Sequence, residues 1–217
     1  MEANDRVRVR RHPERGDYSA ETIHQILDEA YYCHVGFASR GQSVVLPTTH
    51  ARVGDVLYLH GAAASAMLNA ASDAPICLTA TILDGLVLAR SVYHHSMNYR
   101  SVVVFGVARE VTDETEKRMA LEALVEHVVP GRSKDARPPT GTELASTRVL
   151  RLAIGESSAK IRTGPPKDSE ADHALDVWAG VVPLHLETSA PTPDPEIRPG
   201  IPVPDYLRGL GSARRNG

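Results

Sequence analysis

Apolar residues recur along this chain in two rhythms, and the rhythms separate helices from strands. Ser19 stands ahead of Ile23, Ile26, Leu27 and Ala30, a helical spacing behind a residue type that caps helix N-termini. Short β-type runs follow at Val35–Ala38, Val44–Thr48, Val56–Leu59 and Ile76–Leu83. Asp84-Gly85 is a two-residue hairpin signal that predicts a return through Leu86–Ala89. The β-branched run Ser101–Ala108 predicts the strongest strand, suited to burial on both faces. Asp113 and Glu116 form a capping pair for a helix over Glu114–His127, with the apolar stripe Met119, Leu121, Leu124, Val125 and Val128. Pro130-Gly131 ends it, Thr140 with Glu143 caps a shorter helix, and Val149–Ile154 and Ala159–Ile161 read as late strands. Short strands joined by tight turns, with few helices between them, predict a mainly β fold with flanking helices. The expected architecture is a closed or nearly closed antiparallel barrel.

The two ends break this pattern. In residues 1–15, Val7 and Val9 alternate with Arg6, Arg8 and Arg10, as in a surface strand or a solvated arm. Residues 191–204 hold six of the fifteen prolines, so that segment can neither feed a sheet nor continue a helix. It predicts an extended arm over a surface, anchored by Tyr206 and Leu207, with residues 208–217 disordered. The chain therefore divides into a domain over residues 1–188 and a proline-rich arm and tail over 189–217.

Composition narrows the class. A net charge of −3 and a pI near 6.4 argue against a nucleic-acid binder. Cys33 and Cys77 sit in apolar runs without metal-binding spacing, and read as reduced thiols of a cytoplasmic protein. No apolar run reaches the length of a membrane span, and no secretory leader pattern opens the chain. GxGxxG, P-loop, HExxH and GxSxG motifs are all missing. His94-His95 are adjacent and would point to opposite faces of a strand, which argues against a shared metal.

The most informative stretch is Val56-Leu-Tyr-Leu-His60-Gly61-Ala62-Ala-Ala-Ser65-Ala66-Met67. It reads as a buried strand that breaks at a His-Gly step and enters a small-residue turn opening a helix. Free amides and a helix N-terminus beside a histidine make a natural anion seat.

Several motifs, taken in order, carry a family resemblance. They are Arg11-x-Pro13-x-Arg15-x-x-Tyr18, Cys33-His-Val-Gly-Phe37, Pro47-Thr48, Tyr58-Leu-His60-Gly61 and Ser96-x-Asn98-Tyr99-Arg100-Ser101 running on to Gly106. Glu116-Lys117, Ser158-Ala-Lys160-Ile-Arg162-x-Gly164 and Trp178 to Pro183 follow. Over roughly residues 8–186 the chain resembles the flavin-nucleotide-binding branch of the pyridoxamine 5′-phosphate oxidase-like superfamily, a branch similar to the nitroimidazole-resistance proteins. The resemblance implies a split β-barrel homodimer with FMN in clefts at the subunit interface. It also implies an FMN-dependent oxidoreductase that moves electrons, with NADH, NADPH or another donor, to a small oxidised substrate. A non-catalytic flavin-binding module is an alternative. A haem-binding split barrel is another, with His34, His60 or His94 as the axial ligand.

Cofactor contacts carried over from the resemblance fall on Pro47, Thr48 and Thr49 for the ring edge, and on His60, Gly61, Ala62, Ser65 and Met67 around the phosphate turn. Arg100 and Ser101, with Lys160 and Arg162, are implied for charge complementation, and Trp178 for stacking at the cleft mouth. His60 is the implied catalytic residue, an imidazole able to exchange a proton near neutral pH. One departure is informative. Where pyridoxamine phosphate oxidases carry a basic pair after the serine, this chain has Ala66 and Met67. A cation from Arg52, Arg100 or a partner subunit must compensate, and oxidation of pyridoxamine phosphate itself is not expected.

Overall fold

Two antiparallel sheets share the chain's strands and meet at sharp corners. The computed structural model describes residues 5–208 and 210. Strands β1 (Gly16–Asp17), β2 (Cys33–Ser39), β3 (Gln42–Thr48), β6 (Pro75–Leu88), β7 (Ser96–Val107), β10 (Glu156–Arg162) and β11 (Gly180–Pro183) make the larger sheet. Its order is β1-β10-β7-β6-β2-β3, with β11 also paired to β6. Strands β4 (His50–Val53), β5 (Val56–Ala62), β8 (Arg109–Glu110) and β9 (Thr147–Ala153) make the smaller one, ordered β4-β5-β9-β8. The chain crosses between sheets through Thr49, through residues 63–74, through Ala108, and through Ile154-Gly155. These four crossings wrap the sheets around one core, the split barrel expected from the sequence.

That core takes Val35, Leu78, Val102 and Val104 from the larger sheet and Leu57, Leu59, Leu150 and Leu152 from the smaller. Helix α1 (Ala20–Glu29) lays Ile23, Ile26 and Leu27 onto it, behind a Ser19 cap that accepts from the Thr22 amide. Helix α2 (Ala66–Ala71) contributes Leu68. At one corner the sheets approach closely: a Cβ on Gly106 would lie 2.7 Å from Leu152 Cδ1. Helix α3 (Glu114–Val128), capped by Asp113, packs on β4 and β5, and α4 (Gly141–Ser146) has the full Thr140/Glu143 capping box.

The structure corrects the sequence reading in three places. Asp84-Gly85 is no hairpin, because β6 runs straight through it with a bulge between Leu83 and Gly85. Gly85 serves close packing, since a Cβ there would come within 3.0 Å of the Val182 carbonyl on β11. The bulge releases Asp84 to pair with Arg100, and the true reversal comes after Leu88. Strand β7 is central but buried on one face only: Val102 and Val104 are buried while Val103 and Phe105 are half-buried. Residues 7–9 form no strand. Val7 is buried, the Val9 amide donates to the Tyr18 hydroxyl at 2.9 Å, and Arg6 lies 4.5 Å over the Phe105 ring.

The proline-rich arm does return to the body of the molecule. Tyr206 packs on Gly131, donates to Asp135 at 2.8 Å and accepts from Arg132 Nη1 at 3.1 Å. The expected disorder of 208–217 lies, apart from 208 and 210, outside the described residues. Both cysteines are free, and burial pushes the Cys33 thiol up to about 12. Among the described residues, no helix is long and apolar enough to cross a membrane.

Candidate functional site

Strand β5 alternates as a half-covered strand should, and the alternation aims His60. Leu57 and Leu59 enter the core, while Tyr58 and His60 share the face toward α3. Tyr58 is buried there and donates to Glu116 at 2.8 Å. One step further along the same face, His60 is exposed into a cleft of about 1180 Å³. Its floor is Thr49 and His60. One wall is α3 through Leu121, Val125 and Val128, and the other is the segment carrying Arg132, Arg137, Pro138 and Pro139. The imidazole lines this cleft, and its partial burial lowers its pKa. No hydrogen bond or ion pair engages it among the described residues. Burial favours the neutral ring, whose unprotonated nitrogen carries a lone pair.

Beyond His60 the chain behaves as expected in shape but spends its donors on itself. Gly61 packs closely on α2: a Cβ there would lie 3.1 Å from Leu68 Cδ1, so Leu68 would have to shift. In the turn, Ala63 donates to Ser146 O and Ser65 to Ala62 O, both at 2.8 Å. The Ser65 hydroxyl caps α2 by accepting from the Leu68 amide, and α2 has six residues. Ala62 is exposed at the turn's start, while Met67 packs against the core. A cation beside the turn comes from a residue the sequence reading missed. Arg148 pairs with Gly61 across β9 and bonds Asn69 in α2 and Glu110. Only the strand register brings it there, so no local motif could have marked it.

The other sequence-derived residues separate into two further groups. Pro47 and Thr48 lie on β3, the open edge of the larger sheet, and lead directly to Thr49 in the cleft. Edge position is what lets a proline sit in this strand. Arg100, Ser101, Lys160 and Arg162 lie on the β7–β10 pair, and none of them lines the His60 cleft. Arg100 is clamped by Glu29 and Asp84, which raise its pKa. Ser101 donates to Lys160 O at 3.2 Å, and Arg162 is buried against Asn98, Gly164 O and Pro165 O. Arg52 is bound to Asp28 and Gly54 O. Trp178 is 66% exposed, its ring against Gly180 at the start of β11. Of the three candidate haem ligands, His60 lines the cleft described above. His34 sits in β2 beside the Tyr32 ring, and His94 lies 2.7 Å from the Ser91 hydroxyl.

Residues 19–161 match the family model described as pyridoxamine 5′-phosphate oxidase. The chain belongs to the pyridoxamine 5′-phosphate oxidase family. It is 40% identical to the flavocytochrome Anf3 of Azotobacter vinelandii, with a TM-score of 0.91 over 97% of this chain and 99% of that one. It is 38% identical to the FAD and heme binding protein of Mycobacterium smegmatis, with a TM-score of 0.86 over 91% of this chain and 97% of that one. A structure from Bacteroides thetaiotaomicron, named for 5-nitroimidazole antibiotic resistance, shares the fold at 23% identity and a TM-score of 0.56, over 67% and 86% of the two chains. No curated protein matches the sequence significantly. Within the pyridoxamine 5′-phosphate oxidase family this member keeps the split barrel and lacks the basic pair at Ala66-Met67.

Proposed function

We propose that this chain is a flavin-nucleotide-binding redox protein that works as a homodimer and transfers electrons to a small oxidised acceptor. The observation that carries the reading is full-length similarity, at about two-fifths identity, to a flavocytochrome. Among flavins, FAD is preferred to the FMN implied by the sequence resemblance, because the 38% identical relative is named for FAD.

The residues present fit a flavin nucleotide. Strand β3 offers an open edge at Pro47 and Thr48 for the polar rim of the ring, and Thr49 and the Gly61–Ser65 turn continue from it. Arg148 supplies a cation beside that turn where Ala66-Met67 cannot. With two turn amides already engaged, the chain relies on Arg148 and on the partner subunit for much of the phosphate charge. A bound flavin supplies one- or two-electron exchange. The protein's part is to orient it and to keep water from it.

The dimer reading rests on a row of exposed apolar side chains. Val182, Leu86 and Met97 face one another across β11, β6 and β7, each between 41% and 50% exposed. Such a row wants cover from a second copy.

The test is to purify the full chain, release its flavin by denaturation and identify it by chromatography. Anaerobic addition of NADH or NADPH, then of quinone and nitro-compound acceptors, follows. FAD at about one per chain and reoxidation by an acceptor are expected. A protein that neither carries nor takes up any flavin overturns the reading, and one whose flavin no donor reduces overturns the redox role.

A further inference from the structure

The proline-rich arm has so far no part in the site, yet it ends on a wall of the His60 cleft. Residues 185–203 are exposed throughout, and the chain regains cover at Pro204, Tyr206 and Leu207. We propose that Tyr206 is a reversible clasp on the cleft. Docked, it pins the strap of residues 131–139 as the outer wall; undocked, it lets the middle of that strap swing away and widen the entrance.

The strap is tied to the body at both ends. At its start, Glu126 accepts from the Gly131 amide at 2.6 Å and from the Ser133 amide at 2.8 Å. At its end, Arg118 Nη1 donates to the Pro139 carbonyl at 3.1 Å, and Arg137 pairs with Glu143. The middle closes mainly on itself, the Asp135 and Ala136 amides both donating to the Arg132 carbonyl at 3.1 Å. Among the described residues, the hydrogen bonds that reach residues 131–136 from outside 118–143 come from Tyr206 alone. Its hydroxyl donates to Asp135 and accepts from Arg132, both of which line the cleft. Its ring rests on Gly131, where a φ of +89° favours glycine and leaves a flat seat.

This clasp is weak by construction. Two hydrogen bonds in an exposed setting and one ring contact hold down an arm that is otherwise in solvent. Such a contact opens far more readily than the core does. The six prolines of residues 191–204 keep the released arm extended and stiff, so Tyr206 stays near its seat and redocks. A strap fixed at its ends and clasped at its middle is a gate over an apolar wall, since Leu121, Val125 and Val128 lie behind it on α3. The inference concerns access to the cleft and does not depend on the flavin reading.

The experiment measures strap opening and cleft access separately, in the full chain. Hydrogen–deuterium exchange reads the Asp135 and Ala136 amides. Tyr206→Ala should speed their exchange by about tenfold and Tyr206→Phe, which keeps the ring, by less, with β6 and β7 unchanged. For access, Leu121→Cys is labelled with a fluorescein maleimide, and the modified peptide is quantified by mass. The label should enter several-fold faster when Tyr206→Ala is added. A lock guards against a variant that merely misfolds. A Cβ at Gly131 would stand 3.5 Å from Tyr206 Cβ, within disulfide range, so Gly131→Cys with Tyr206→Cys can be compared oxidised and reduced in one protein. Oxidation should slow exchange of the strap, and reduction should restore it.

Unchanged exchange at Asp135 and Ala136 in Tyr206→Ala overturns the clasp. Equal labelling of Leu121→Cys with and without Tyr206→Ala overturns the gate. A disulfide that joins two chains in place of closing within one overturns the assignment of the arm to its own cleft.

Discussion

Gly106 illustrates how a single residue can record the geometry of a whole corner. It lies where β7 turns from one sheet toward the other, and the missing Cβ is the space that Leu152 Cδ1 fills. Gly106→Ala should therefore destabilise the protein by about 1–3 kcal/mol through overpacking, read as a lower urea midpoint at unchanged slope. No change in midpoint would mean that Leu152 yields freely. His60 and Arg100 make the opposite point about charge and chemistry. Each was picked out by a motif, yet their surroundings assign them different work. Arg100 is satisfied by Glu29 and Asp84 within its own chain, while His60 is left unsatisfied in a cleft. A motif names residue types, but which of them is already bonded depends on neighbours far away in sequence. Glu29 is 71 residues from Arg100.

At the scale of elements, the attachment of α3 to the smaller sheet decides whether the cleft has a wall at all. Its apolar stripe was legible as periodicity, but periodicity does not say which part of the stripe is covered. Leu124 is buried, whereas Val125 and Val128 are left facing the cleft. Position is fixed instead by a polar tie: Tyr58 donates to Glu116, which also meets Arg151 at 3.1 Å. Asp113 caps the helix as expected by accepting from the Glu116 amide, while the Glu116 side chain, expected to complete the capping pair, goes to this tie. Burial, and then the neighbouring Glu116 carboxylate, push the Tyr58 phenol up to about 12. A folded-state pKa above the ordinary value of 10.0 means that the protonated phenol contributes its full stability below pH 10, and that this contribution is lost as pH rises through about 12. Tyr58→Phe should cost about 0.5–1.5 kcal/mol at neutral pH, and the gap between the two proteins should narrow across that alkaline window. Chemical denaturation at stepped pH measures both. A gap that stays constant to pH 12 would contradict the tie.

For the whole molecule, the exposed row Val182–Leu86–Met97 predicts association, and Leu86→Asp should convert a dimer into monomers in sedimentation velocity while leaving the circular dichroism of the fold unchanged. A wild-type chain that sediments as a monomer at micromolar concentration would refute it. By itself the sequence determined which segments become helices and most of the strands, because caps and apolar periods act locally: Ser19, Asp113 and the Thr140/Glu143 box each mark a real helix start. It also determined the family, through motifs spread along most of the chain. Tertiary structure decided what was not local. The bulge at Asp84 looked like a turn because Asp-Gly carries the same signal in both settings, and only the arrival of β11 against Gly85 distinguishes them. Arg148 beside Gly61, Arg132 at the rim and the bare flank of α3 come together only when two sheets close around one core. Ligand sites built from such convergences bring together side chains with no common period in the sequence, and that is why the His60 turn was visible from the start and the cleft around it was not.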